Sequence, residues 1–245
     1  MVTGTVNGLR AERVQLNSMN NSKFVIHTDE ESVEYLKKKD NRLATVINVI
    51  GNIECSNHID GYSFVIGEII EQMLSVKVAD VFRSRLLDLC GKEISPDNIR
   101  KLTEEQWKTI GISNAKKTYI MNFTDAVESG LLQLESLEEK SDDEVLEELT
   151  AIKGIGPWTA KMYLIFVLKR LDVLPYEDGA FMQAFRWLYE KDKKVTKEAV
   201  IKKCKKWKPY SSIASRYLYR ALDGGMTKVH YEELARGGYE ADVNL

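Results

Sequence analysis

Apolar residues recur three and four positions apart through most of the chain, the spacing that puts them on one face of a helix. In "SFVIGEIIEQMLSVKVADVFRSRLLDLCG" (63–91) the apolar pairs fall at 65/66, 69/70 and 73/74, and the segment closes on Gly91. This pattern predicts two helices broken near Ser75. Start and stop residues divide much of the remainder. "DEESVEYLKKKD" (29–40) and "DNRLATVINVIG" (40–51) each open on an acidic cap candidate, Asp29 and Asp40, and the second ends on Gly51. Ser95 precedes Pro96 at a first helical position, Thr103 stands three residues before Gln106, and Ser141 with Glu144 forms a capping box. Helices are also predicted over 113–130, from about Gly179 to Tyr189, across a lysine-rich stretch after it, and over 210–225. Only the first 28 or so residues resist this scheme, although "SKFVIH" reads as a short strand. The expected fold class is mainly α.

Composition narrows the class. A chain of 245 residues accommodates one large domain or two small ones, and 44% hydrophobic with 29% charged residues is ordinary for a folded domain. The longest apolar run, "MYLIFVL" at 162–168, is closed by Lys169 and Arg170, well short of the roughly 18 residues of a membrane span. The N-terminus has no apolar core after its basic residue and does not read as a secretory signal, so a cytosolic location is expected. Cys55, Cys90 and Cys204 form no C-x-x-C pair, and His27, His58 and His230 have no ligand spacing, which argues against a metal held by side chains. Charge is segregated although the net charge is only −2. Lysines crowd 191–208 and acids crowd 128–148, either as solvated helix faces or as the polarity of a one-sided phosphate-binding surface.

One segment interrupts the helical pattern in a specific way. "IKGIGPWTAKM" (152–162) lies between a predicted helix at 142–150 and another at 157–169. Pro157 suits a first helical position, where a missing N–H goes unnoticed. Gly154 and Gly156 are both able to take positive φ, and without Cβ atoms they bring bare backbone outward. N–H groups at a helix start bind anions, and a DNA phosphate would fit here, with Lys153 beside it and Lys161 a turn into the helix. A plain αα-corner uses glycine in the same way, and G-x-G alone does not separate the two readings.

The wider context does. "L-x-x-I-K-G-I-G-x-W-T-A-x-M" between helices, with a carboxylate 22 residues after the second glycine, resembles the helix-hairpin-helix DNA glycosylases, in particular the AlkA-type 3-methyladenine DNA glycosylase II family. The resemblance runs from about Phe24 to Gly225 through "LKKKDNRLATVINVIG", "FVIGEIIEQMLSVKVA", the hairpin, "DVLPYEDGAFMQAFRWLY" and "WKPYSSIASRYLYRAL". It implies a two-lobed fold: an N-terminal segment (1–60) whose helices pack with a C-terminal lobe (171–245), and a helical barrel (61–170) ending in the hairpin (142–169). The hairpin and the catalytic carboxylate are expected to face the cleft.

The resemblance also implies roles. Asp178 matches the catalytic aspartate, and its place before a helix favours the ionised form, although an aspartate there reads equally as an N-cap. Glu177 stands where the family usually has Asp. Trp158 occupies the position, two after the second hairpin glycine, that holds a lysine nucleophile in strand-cutting relatives, so a monofunctional hydrolase is implied. Trp158, Tyr176 and Tyr219 are aromatic candidates for the base pocket, since a cationic alkylated purine is attracted to a ring face. Trp158 also heads a 158/162/165 apolar stripe, and Met162 departs from relatives with an aromatic there. Lys153, Gly154, Ile155, Gly156 and Thr159 are implied to contact DNA, as are Gln72, Met73 and Ser75 of the "EQMLS" block. Met73 matches the residue wedged into the duplex, or else continues the 69/70 core stripe. The carbonyls of Thr150, Ile152 and Ile155 match a site for a monovalent cation such as Na+ or K+; no cofactor is otherwise required. The implied partner is double-stranded DNA carrying a damaged base, the implied state a monomer, and a bacterial member would associate with the nucleoid. Two alternatives stay open: a glycosylase for uracil, hypoxanthine or an oxidised purine, and a non-catalytic DNA-damage-binding module.

Overall fold

The computed structural model describes residues 23–57, 59–189 and 195–237. Its elements, in chain order, are β1 (Lys23–Ile26), α1 (Glu31–Lys39), α2 (Asn41–Ile50), β2 (Ile53–Ser56), α3 (Gly61–Glu71), α4 (Val76–Leu89), α5 (Pro96–Arg100), α6 (Glu104–Ile110) and α7 (Asn114–Glu128). There follow α8 (Asp142–Thr150), α9 (Pro157–Met162), α10 (Gly179–Tyr189), α11 (Lys197–Cys204), α12 (Ser211–Asp223) and α13 (Tyr231–Ala235). The mainly helical class expected from the sequence holds.

Side-chain caps set many of these boundaries. Ser95 accepts the Asn98 N–H, and complete capping boxes form at Thr103/Gln106 and Ser141/Glu144. Asp40 accepts the N–H groups of Arg42 and Leu43 at the start of α2. The cap of α1 is Glu30 rather than Asp29, and its carboxylate makes no capping bond; it accepts the His27 N–H instead. The break predicted near Ser75 falls at Gln72–Ser75. The strand read in "SKFVIH" pairs antiparallel with β2, Lys23 opposite Ser56 and Ile26 opposite Ile53. That partner strand went unseen because "IECS" is too short to show alternation.

One helix departs from expectation. The segment 157–169 is α-helical only to Met162. From Tyr163 to Val167 it winds as a π-turn, with the Leu168 N–H donating to the Tyr163 carbonyl, and Lys169 then leaves the helix at positive φ.

Contacts divide the chain into two units, one made of residues 23–57 with the chain from Arg170 onward, the other of the intervening residues up to Lys169. In the first, α10 packs on α12, and Phe181, Phe185, Leu188, Trp207, Tyr217 and Leu218 are fully buried with Leu43, Val46 and Ile47 of α2. Asp40 anchors this core: its carboxylate accepts from Trp207 Nε1 at 2.8 Å, from the Tyr189 hydroxyl, and from Lys206 Nζ at 2.9 Å. In the second unit the buried run Phe64–Ile66 and Ile69–Ile70 of α3 meets Phe123 of α7 and the Tyr163–Phe166 turn; Tyr62 stacks on Phe123 at 5.4 Å. Among the described residues no helix is long and apolar enough to cross a membrane.

Candidate functional site

The hairpin is a glycine-turned connection whose backbone is kept available. Ala151, Ile152 and Ile155 donate N–H bonds to Glu147, Leu149 and Ile152 respectively, which closes the end of α8 and the turn. The N–H groups of Gly154, Gly156 and Trp158 have no protein acceptor among the described residues. The two glycines serve different ends. Gly154 has φ +110°, and a Cβ there would meet the Tyr119 side chain at 2.3 Å. Gly156 has φ −101° and ψ 175°, so it does not use the positive φ open to it; it is the extended N-cap of α9, with nothing within 4 Å of a Cβ position. Its lack of a side chain opens the approach to the helix start instead of permitting a turn.

The turn is tied down from outside. The Asn122 amide donates to the Lys153 carbonyl at 3.1 Å, the Gln72 amide donates to the Gly154 carbonyl at 3.0 Å, and Tyr119 packs on Gly154. Tyr119 and Asn122, a turn apart on α7, were missed by sequence reasoning, since nothing local marks them. Lys153 itself is exposed, Ile155 and Thr159 are buried, and the Thr159 hydroxyl has no hydrogen-bond partner among the described residues. Of the three carbonyls proposed for a cation, Ile152's accepts the Ile155 N–H, while those of Thr150 and Ile155 accept no protein hydrogen bond among the described residues. Unengaged carbonyl oxygens are the donor chemistry that a hard cation takes.

The loop after α3 presents one side chain outward. Met73 sits at φ +59° and is fully exposed, so the reading of it as a continuation of the core stripe is corrected: α3 ends at Glu71, and the helical face stops at Ile70. The surroundings hold the loop in place. Lys116 Nζ donates to the carbonyls of Ile70 and Gln72 at 2.6 Å each, and buried Arg83 pairs with Glu71 at 2.9 Å and with Asp80. Burial pushes the Lys116 ammonium below its usual pKa, with the Glu71 charge acting against that. Gln72 turns inward to the hairpin, and Ser75 is the exposed residue before α4 with no side-chain capping bond.

In the other unit, the segment leading to α10 is pinned to the start of α12. The Val173 N–H donates to Ser212 Oγ at 2.9 Å, the Ser212 N–H donates to the Leu171 carbonyl at 2.9 Å, and the Ser211 hydroxyl donates to Asp172 at 2.5 Å. Asp178 follows, only 4% exposed. Its Oδ1 accepts the Ala180 N–H at 2.6 Å, its Oδ2 accepts the Tyr219 hydroxyl at 3.1 Å, and its carbonyl accepts the Met182 N–H to begin α10. Asp178 is therefore a cap and also a buried carboxylate, so its capping role does not exclude a second one. Glu177 beside it is exposed.

The aromatic candidates separate. Tyr219, 3% exposed, is brought to Asp178. Tyr176 is half-buried, with Lys197 Nζ 4.4 Å from its ring centroid. Trp158 is half-buried, while Met162 and Ile165 of its stripe are fully inside. Much of the lysine run that can be described is engaged within the protein: Lys203 and Lys206 lie over Tyr189, and Lys208 pairs with Asp172 at 3.1 Å. Lys191, Lys193 and Lys194 lie outside the described residues.

A glycine-turned hairpin with open N–H groups, followed by a buried aspartate at a helix start, defines a class of DNA repair protein. The model of the HhH-GPD superfamily of base excision DNA repair proteins matches residues 66–209, and the chain belongs to that superfamily. It is 30% identical over 192 residues to DNA-3-methyladenine glycosylase 1 of Schizosaccharomyces pombe, covering 76% of this chain and 84% of that protein. The solved structure of a DNA-3-methyladenine glycosidase from Bacillus halodurans matches with a TM-score of 0.74 at 33% identity, covering 87% of this chain and 99% of the other. A 3-methyladenine DNA glycosylase of S. pombe, solved in complex with abasic DNA, matches with a TM-score of 0.73 at 29% identity, covering 78% and 96%.

Proposed function

We propose that this protein is a monofunctional DNA glycosylase that hydrolyses the N-glycosidic bond of alkylated purines, of the 3-methyladenine type, in duplex DNA and so begins base excision repair. The observation that carries this reading is Asp178, a buried carboxylate held at both oxygens at the start of α10, in a chain whose relatives are named for that activity.

An N-alkylated purine leaves readily once the cationic sugar that forms behind it is stabilised, and a fixed carboxylate supplies that stabilisation. The C1′–N bond breaks with its electron pair going to the base, water adds at C1′, and its proton goes to solvent. Trp158, Tyr176 and Tyr219 supply ring surface for the cationic base. With Trp158 two positions after Gly156, no Schiff base forms at that place, and the strand is left intact. The open N–H groups of Gly154 and Gly156 and the exposed Lys153 suit phosphate, with Ile155 and Thr159 shaping the turn. Met73, fully exposed on a braced loop with Gln72 and Ser75, suits the gap left by the flipped nucleotide. The carbonyls of Thr150, Ile152 and Ile155 would hold a monovalent cation, which supplies positive charge for a phosphate. A monomer working on DNA in the cytoplasm completes the reading.

The test compares wild type with Asp178→Asn on duplexes carrying 3-methyladenine or 7-methylguanine. Wild type is expected to release the base and leave a strand that breaks only in alkali, and the variant to be slower by about a thousand-fold, the upper end for losing one electrostatic stabiliser. Strand cleavage without alkali would overturn the monofunctional reading. Release of uracil, hypoxanthine or an oxidised purine in preference would reassign the substrate, and release by neither protein would leave a damage-binding module.

A further inference from the structure

The hydroxyl of Tyr219 has a use that a pocket wall does not require. Tyr219 and Asp178 are 41 residues apart in sequence and both are buried, 3% and 4% exposed, with the phenol donating to Oδ2 at 3.1 Å. A buried phenol must find an acceptor, and this one lands on Oδ2, while Oδ1 accepts the Ala180 N–H. These donors, from Ala180 to Oδ1 and from Tyr219 to Oδ2, restrict the carboxylate's rotation, which is otherwise broad and two-fold.

We propose that Tyr219 is a positioning residue for the glycosidic step, holding Asp178 as a fixed counter-charge to the sugar and suppressing its action as a general base. The proposal rests on the reading of Asp178 as the carboxylate that serves the sugar. Donors held to both oxygens fix the carboxylate in one orientation and engage lone pairs that a proton taken from water would otherwise use, so that it serves the oxocarbenium ion through its charge. A charge-assisted bond of this kind is among the stronger hydrogen bonds in proteins, so its loss is felt in the rate. The backbone supports the same geometry: α12, which carries Tyr219, is bonded through Ser211 and Ser212 to the segment that leads to Asp178.

The experiment uses Tyr219→Phe, which keeps the ring and removes only the hydroxyl, on 7-methylguanine duplex. A fall in kcat of about ten-fold or more is expected, from the loss of one hydrogen bond to a charged group. KM and affinity for abasic-site DNA are expected to be unchanged, the latter also reporting a folded protein. Full turnover by the Phe variant overturns the proposal, as does a raised KM with unchanged kcat, which would give the hydroxyl to substrate binding. A second measurement needs no variant: the single-turnover rate of wild type is expected to be nearly the same in D2O as in H2O. A marked slowing in D2O would put a proton in flight and overturn the counter-charge role. Asp178→Asn run alongside separates the two claims. If it cleaves like wild type, the reading of Asp178 fails; if it is inactive while Tyr219→Phe is fully active, only the role of Tyr219 fails.

Discussion

The two units reach their chemistry by different routes. In the unit with α10 and α12, side chains from distant parts of the chain converge on buried aspartates: Tyr189, Lys206 and Trp207 on Asp40, and Tyr219 on Asp178. In the unit with the hairpin, a short contiguous stretch of backbone is the working surface, and side chains elsewhere serve to hold it: Asn122 on the Lys153 carbonyl, Gln72 on the Gly154 carbonyl, Lys116 under the Met73 loop. A buried carboxylate needs donors to stay charged, and a folded core is what delivers them. Open backbone N–H groups need the reverse, a local conformation in which helix geometry gives them no partner.

This contrast predicts that the first unit is sensitive to side-chain chemistry and the second to backbone shape. The largest stability effect is expected from Asp40→Asn, about 3 kcal/mol, because it leaves Lys206, Trp207 and Tyr189 without their charged acceptor. Chemical denaturation measures it, and a loss below about 1 kcal/mol would break the comparison. Its pH dependence is a further check. Burial pushes the Asp40 carboxyl upward, but hydrogen bonds from Tyr189, Lys206 and Trp207 outweigh it and hold the group below the usual carboxylate range. A depressed folded value means stability that is present above the ordinary aspartate pKa and lost as pH falls through the folded one. Wild type is therefore expected to lose stability in that acid window, and the Asn variant to show a flatter profile there.

Next comes Gly154→Ala, expected to cost about 1–3 kcal/mol from a strained φ and a methyl driven into Tyr119, together with weaker DNA binding. Gly156→Ala, two residues on, has open space and an unstrained φ, and calorimetry should show a smaller loss, about 0.5 kcal/mol, from alanine at an N-cap. Equal effects at the two glycines would show that backbone shape is not what the turn requires. The smallest stability effect belongs to Met73→Ala, whose side chain is fully exposed. Its melting temperature should match wild type, while base release from duplex slows several-fold relative to release from a single strand.

How much was legible in the sequence follows the same line. The hairpin, its caps and its open backbone were readable from "SDDEVLEELTAIKGIGPWTAKM", since capping boxes, positive-φ glycine and first-turn proline act within a few residues of themselves. Which of the two glycines takes positive φ was not readable, because two glycines in one turn look alike until φ is known. Met73 was ambiguous because a helical period does not say where the helix stops; the Lys116 and Arg83 contacts that brace its end come from other helices. Asp178 was readable as a cap and, by resemblance, as a catalytic group, but its bond to Tyr219 spans 41 residues and leaves no periodic trace.

By itself, then, the sequence determined most of the helices, their capped starts and the place of the hairpin turn, because helix propensity, capping and glycine conformation are short-range forces. The tertiary structure decided which side chains surround Asp40 and Asp178, which carbonyls of the hairpin are tethered, and that Met73 faces solvent. Those outcomes depend on burial and on hydrogen bonds between residues far apart in the chain, and such pairings exist only once the cores have formed.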